Sequence, residues 1–191
     1  MRKTFEIQQA LLWTLLALPW CYMLFAYASG AMVYGAFIHW TGDISAWLLM
    51  ATLALTPLRL IFPGRRWTTW LLQRRRYFGV ASFMYALPHA IGYVLRQPWA
   101  RVSGEALEPG MAAGWLALAI FVPLAATSND AAVQALGRRW KSLHRWVYAA
   151  AVLTFAHWVM TAFDPAVGIA HAAALFAIEA VRMALQRRRR E

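Results

Sequence analysis

The sequence predicts an all-α integral membrane protein, a bundle of six transmembrane helices with both termini cytoplasmic, and three observations lead there. Hydrophobic residues fill 61% of 191 positions, mean hydropathy is +0.45, and only 14% of residues are charged. A soluble domain is nearer half apolar and a quarter charged. The apolar residues form long unbroken runs without the alternation of a barrel strand, so helices are the form that satisfies the backbone in hydrocarbon. The basic residues, in turn, cluster in alternate loops.

Crossing about 30 Å of hydrocarbon takes roughly 20 apolar residues. Six segments meet or approach that length: 11–28, 44–62, 77–95, 110–127, 143–162 and 167–185. The first follows Arg2 and Lys3 and ends at Ala26-Tyr27-Ala28, which imitates a signal peptide with its cleavage site. Its apolar run is longer than an h-region, so it reads as an uncleaved helix. It holds Cys21, the single cysteine, and no internal disulfide is available. The second span follows an outer loop that contains His39-Trp40-Thr41-Gly42-Asp43. The third begins after Arg75 and Arg76 and carries His89, the fifth carries His144 at its mouth and His157 deeper, and the sixth carries His171 about one turn in. Pro19, Pro88 and Pro123 lie inside spans, where neighbouring helices can satisfy the freed carbonyls. No internal repeat or linker is evident, and residues 1–191 read as a single transmembrane domain.

With the N-terminus inside, 17 of the 19 Lys and Arg residues sort to one side. They are Arg2, Lys3, Arg59, Arg65, Arg66, Arg74, Arg75, Arg76, Arg138, Arg139, Lys141, Arg145, Arg182 and the run Arg187, Arg188, Arg189 and Arg190. Arg96 and Arg101 fall on the other side, with Asp43, Glu105, Glu108 and Asp164. The positive-inside rule makes the first side cytoplasmic. Topology and anionic lipid headgroups account for the net charge of +11, which implies no nucleic-acid partner.

A polar side chain in hydrocarbon is costly and marks a site, and imidazole is a common ligand for metals and haem iron. At ~1.5 Å per residue, His89 lies about 18 Å from the cytoplasmic start of its span and His157 about 21 Å from that of its own. Both helices run outward, so the two imidazoles share a level in the outer half of the bilayer. Axial coordination of one haem from both faces requires such a pair. Ala86, Ala90, Gly92, Ala149, Ala150, Ala151 and Ala156 are small neighbours that would let a porphyrin approach the backbone. The alternative is that each histidine hydrogen-bonds a neighbouring helix in a purely structural role.

His144 precedes His157 by thirteen residues, roughly 20 Å along a helix, which suits two haems stacked across a membrane. Thirteen steps of ~100° turn the face by about 220°, so the two do not share a stripe on an ideal helix. A structural contact at the interface stays open for His144. Arg75 and Arg76 occupy the matching depth of the third span, where they suit a haem propionate or a flavin phosphate through charge-assisted bonds. His39 and His171 read as interfacial residues, with a substitute ligand or a quinone contact as the alternative. The eleven Trp suit interfacial belts and helix packing.

No GxGxxG, P-loop, CxxC or HExxH motif is present. Glu179 is the nearest approach to an intramembrane carboxylate, which argues against a proton pump or an ion-coupled transporter.

Three stretches together carry a resemblance. They are His39-Trp40-Thr41-Gly42 with Leu55-Thr56-Pro57-Leu58; Arg75-Arg76-Tyr77-Phe78-Gly79 leading to His89; and Ala126-Thr127-Ser128 followed by Leu136-Gly137-Arg138-Arg139-Trp140-Lys141-Ser142-Leu143-His144-Arg145-Trp146-Val147-Tyr148 and His157-Trp158. The chain resembles the MsrQ (YedZ) family, haem-binding membrane subunits of the bacterial periplasmic methionine sulfoxide reductase system, within the ferric-reductase-like transmembrane superfamily. The resemblance covers nearly the whole chain. It implies a b-type cytochrome of the bacterial inner membrane with one or two haems. Such a subunit takes electrons from quinone or a cytoplasmic flavin reductase and passes them to a periplasmic molybdopterin-containing reductase that repairs oxidised methionines. Its haem-associated positions match His89, His144 and His157. FMN is also associated with the family, and no residue is assigned to it. Eukaryotic oxidase relatives in the superfamily place two histidines on the third span, whereas the inner position here is arginine.

The expected mechanism is single-electron relay, with residues 97–109, including Arg101, Glu105 and Glu108, as a docking surface for the acceptor. Two rivals remain: a stand-alone ferric or metal reductase, and a haem-free small transporter or scaffold with structural histidines.

Overall fold

The computed structural model describes residues 2–188, with side chains from Glu6 to Arg188. Arg189 and Arg190 of the terminal basic run, and the side chains of Arg2 and Lys3, lie outside the described residues. Every regular element among the described residues is a helix. In order they are α1 (Arg2–Ala28), α2 (Tyr34–Ile61), α3 (Arg66–Gln73), α4 (Arg75–Arg96), α5 (Trp99–Glu105), α6 (Pro109–Ala126), α7 (Asp130–Leu136), α8 (Arg138–His144), α9 (Val147–Thr161) and α10 (Pro165–Arg188).

Five of these, α1, α2, α4, α6 and α10, are long and apolar enough to cross a membrane. The expected fifth span, 143–162, is shorter than its apolar run, because the helix stops at His144 and resumes at Val147. The fifteen residues of α9 cover about 22 Å at 1.5 Å per residue. The second span is longer than expected and starts at Tyr34, so His39 to Asp43 sit on the helix rather than in an outer loop. The reason is local and tertiary at once. Thr41 folds its hydroxyl back onto the Phe37 carbonyl at 2.6 Å, and Phe37 is buried beside Met23 and Tyr85. Residues 97–109 likewise contain a helix, α5, which an i,i+4 ion pair between Arg101 and Glu105 supports at 2.7 Å.

Two helix pairs form the centre, α2 with α4 and α6 with α9. Helix α4 touches α6, α10 lies against α2 and α9, and α1 reaches α2 and α4 from outside. Ala46, Leu49, Leu53, Phe121, Ala150, Ala151, Phe155 and Leu175 make the shared core. The two alanines of α9 leave the space that lets its neighbours close in, as small residues do at membrane helix seams. Ser45 and Ser82 bond reciprocally across the α2–α4 seam, each hydroxyl donating to the other's carbonyl at 2.9 Å. Pro88 cannot donate to the Met84 carbonyl, and the Trp20 indole of α1 supplies that hydrogen bond at 2.7 Å. The large exposed apolar side chains, Leu15, Phe25 and Phe176 among them, lie on the outer helices where lipid would meet them.

Candidate cofactor site

His89 on α4 and His157 on α9 face one another with ring centroids 6.1 Å apart and planes at 88°. The His89 Nδ1 is 2.9 Å from the Ile38 carbonyl of α2, and the His157 Nδ1 is 2.9 Å from the Gly110 carbonyl of α6. A carbonyl only accepts, so each Nδ1 carries a proton. Each Nε2 is therefore left as a lone-pair donor. This is the arrangement of metal-ligating histidines, whose second nitrogen is tied to a carbonyl.

The separation suits one metal between the rings. A metal–nitrogen bond of about 2 Å on each side puts two imidazole centroids roughly 6 Å apart. Among the described residues no three His, Cys, Asp or Glu side chains gather to hold a bare ion. Two opposed imidazoles fit an iron whose remaining ligands come from a macrocycle, which is haem.

His144 is elsewhere. It ends α8, ahead of the apolar spans, and lines a cavity of about 540 Å³ at the end of the bundle where the arginines collect. Leu49, Leu53, Phe121 and Leu124 form its apolar walls, and Arg75, Arg76, Arg138, Lys141 and Arg145 its basic rim. Arg76 holds Asp130 at 2.5 Å. The His144 ring stacks on Trp140 with centroids 3.9 Å apart. Its Nε2 is 3.0 Å from the Thr127 hydroxyl, whose single proton goes to the Pro123 carbonyl at 2.6 Å. His144 therefore donates from Nε2 and keeps its lone pair on Nδ1, the opposite tautomer to the other two. Burial, then the Arg75 and Arg76 guanidiniums, push this imidazole down to about 4, so it is neutral at pH 7. The structure thus brings His89 and His157 together, and separately brings His144, Arg75 and Arg76 to one cavity. The break at residues 145–146 removes the single-helix geometry behind the 220° argument.

His39 pairs with Asp43 at 3.4 Å one turn away, and His171 stacks on Trp158 and Trp47 with centroids 5.0 and 6.4 Å apart. Glu179 pairs with Arg182 at 2.8 Å, and Arg182 also lies over the Tyr148 ring, so this carboxylate is bound up in packing between α9 and α10. Gly42 and Gly114, against which the His89 and His157 rings lie, and Trp140 under His144 are site residues to which the sequence reading gave no role. The four-residue spacing of Gly110 and Gly114 was the available signal for one of them.

Comparison with known proteins shows the family. A family model described as ferric reductase like transmembrane component matches residues 41–155. Three relatives are each named protein-methionine-sulfoxide reductase heme-binding subunit MsrQ. The protein of Rhizobium meliloti is 39% identical over 65% of this chain and 57% of its own length. That of Ralstonia nicotianae is 38% identical over 62% and 55%, and that of Brucella ovis 34% identical over 81% and 70%. The chain therefore spans little more than half the length of the first two relatives. No solved structure matches. The matched segment runs from Thr41 to Phe155, takes in His89 and stops two residues short of His157, and the chain belongs to the ferric-reductase-like transmembrane family and, within it, to the MsrQ family.

Proposed function

We propose that this protein is a b-type cytochrome subunit of a bacterial inner membrane, with His89 and His157 as the axial ligands of a haem. The observation that carries the reading is the facing pair of imidazoles, each with Nδ1 tied to a carbonyl and Nε2 left to a metal. Residues 1–191 act as one transmembrane domain of six spans, the five long helices with the shorter α9 as the fifth in chain order, and both termini lie in the cytoplasm. The distribution of Lys and Arg supports that orientation.

A bound haem supplies a one-electron couple. The chain does the rest. Its helices bring the two imidazoles to one level, exclude water from the surround and hold the Nδ1 protons on Ile38 and Gly110. Electrons enter from quinone or a cytoplasmic flavin reductase and leave to a periplasmic molybdopterin-containing reductase of oxidised methionines. The relatives' names support a methionine sulfoxide reductase as the acceptor, since each is called a heme-binding subunit of one. The 97–109 segment, with Arg101 and Glu105 on α5, is the docking surface proposed for it.

The basic cavity supports a second cofactor at the cytoplasmic end. Arg75 and Arg76 would take a haem propionate or an FMN phosphate, and His144 would offer Nδ1 to an iron.

The test is the visible spectrum of the purified full chain. A Soret band is expected in the wild type, with loss of haem in His89→Ala and in His157→Ala. A colourless wild-type protein, or full haem content in both variants, overturns the reading. Loss of only part of the haem in His144→Ala would count a second haem at the basic end.

A further inference from the structure

The two halves of the central site are built alike. His89 donates to the carbonyl of residue 38 and rests on Gly42, one helical turn later. His157 donates to the carbonyl of residue 110 and rests on Gly114, again one turn later. A Cβ on Gly42 would stand 3.0 Å from Cε1 and 3.1 Å from Nδ1 of His89. A Cβ on Gly114 would stand 2.7 Å from Nδ1 and 3.0 Å from Cε1 of His157. Among the described glycines in spans these two alone meet a histidine ring. Gly92, Gly110 and Gly168 are as tightly packed, with nearest atoms at 3.1, 3.0 and 3.1 Å, but against Phe37, Thr161 and Val159, and others have room. On Gly79 the nearest neighbour would be Thr52 at 3.7 Å, and on Gly35 nothing lies within 4 Å.

The repetition has a physical reason. A helical carbonyl spends one lone pair on the N–H four residues ahead and has another for an outside donor. Side chains lean toward the helix N-terminus, so the residue one turn later normally covers that second lone pair. Glycine uncovers it. The same lack of a side chain lets the imidazole lie flat enough against the turn to reach it.

We propose that Gly42 and Gly114 are positioning residues, each exposing the carbonyl one turn earlier and so fixing the protonated edge and the ring plane of His89 and His157. The proposal rests on the reading of these histidines as axial haem ligands. A hydrogen bond from Nδ1 selects the tautomer that presents Nε2, raises ligand basicity and holds the planes near perpendicular. Perpendicular axial imidazoles give low-spin ferric haem a highly anisotropic EPR spectrum, and rotation toward parallel makes it less so.

The test uses the purified full chain with Gly42→Ala, Gly114→Ala and, as a control, Gly79→Ala. Haem per polypeptide, the ferric EPR spectrum and the midpoint potential are recorded, with helix content by circular dichroism. Gly79→Ala is expected to match wild type. Gly114→Ala is expected to lose about tenfold or more in haem affinity, the usual effect of removing such a support. Gly42→Ala, the milder intrusion, is expected to keep haem with a less anisotropic spectrum and a shifted potential. Unchanged spectra and potentials in both variants overturn the proposal, as does an equal loss in Gly79→Ala. If Gly114→Ala does not accumulate, Gly42→Ala decides alone by its spectrum and potential. Haem retained in both histidine variants would instead overturn the ligand reading.

Discussion

At the scale of single residues, two polar contacts between helices can be weighed. Trp20 satisfies the carbonyl that Pro88 frees, so Trp20→Phe leaves the Met84 oxygen unpaired and is expected to cost about 1–3 kcal/mol. Thermal unfolding in detergent would register that loss. Replacing Ser82 by Ala removes one of two reciprocal bonds, and interhelical bonds in membranes average about 0.6 kcal/mol. Glu105 shows a pH dependence. Hydrogen bonds from Arg101, then from Tyr93, hold its carboxyl below the usual carboxylate range. Its folded-state value lies under its unfolded one, so the contribution is present at neutral pH and disappears as pH falls below about 4.5 toward the depressed value. The protection of α5 amides, relative to intrinsic exchange at each pH, is expected to fall over that acid range in wild type and to be insensitive to it in Glu105→Gln. A common level for His89 and His157 was legible in the chain, because each lies a similar number of residues beyond a basic segment, and the two rings do meet. The carbonyls that orient them were not, since the register of α4 on α2 and of α9 on α6 is set only by packing.

At the scale of elements, the apolar runs located the long helices and misplaced some ends. Hydropathy cannot distinguish a continuous helix from one interrupted at residues 145–146, because Trp146 and Val147 are apolar whichever way the backbone turns. It also undercounted α2, whose first turns carry His39, Thr41 and Asp43 and look like a loop by polarity. Gly137 joins α7 to α8 at φ 51 and ψ −120, a conformation open to glycine and costly to other residues. Gly137→Ala is expected to destabilise this junction by about 1–3 kcal/mol. The readout is faster proteolysis between Leu136 and Arg138, with the Soret band of the outer site unchanged.

At the scale of the whole molecule, asymmetric charge sets a direction that packing alone does not. Cysteines introduced singly at Ser103 and at Ser142, with Cys21 replaced by Ser, report it in intact cells. A membrane-impermeant maleimide is expected to label the first from outside and the second only after lysis; the reverse pattern would invert the proposed topology. The helical class followed from composition, whereas the core and the grouping of helices into pairs α2–α4 and α6–α9 did not, for hydrocarbon-facing and protein-facing residues are equally apolar. Each of those pairs is stitched internally by an imidazole from one member to a carbonyl of the other. An iron shared by the two rings would rivet the pairs into one body, so loading with the prosthetic group becomes the final fastening of assembly and its removal would let the halves breathe apart.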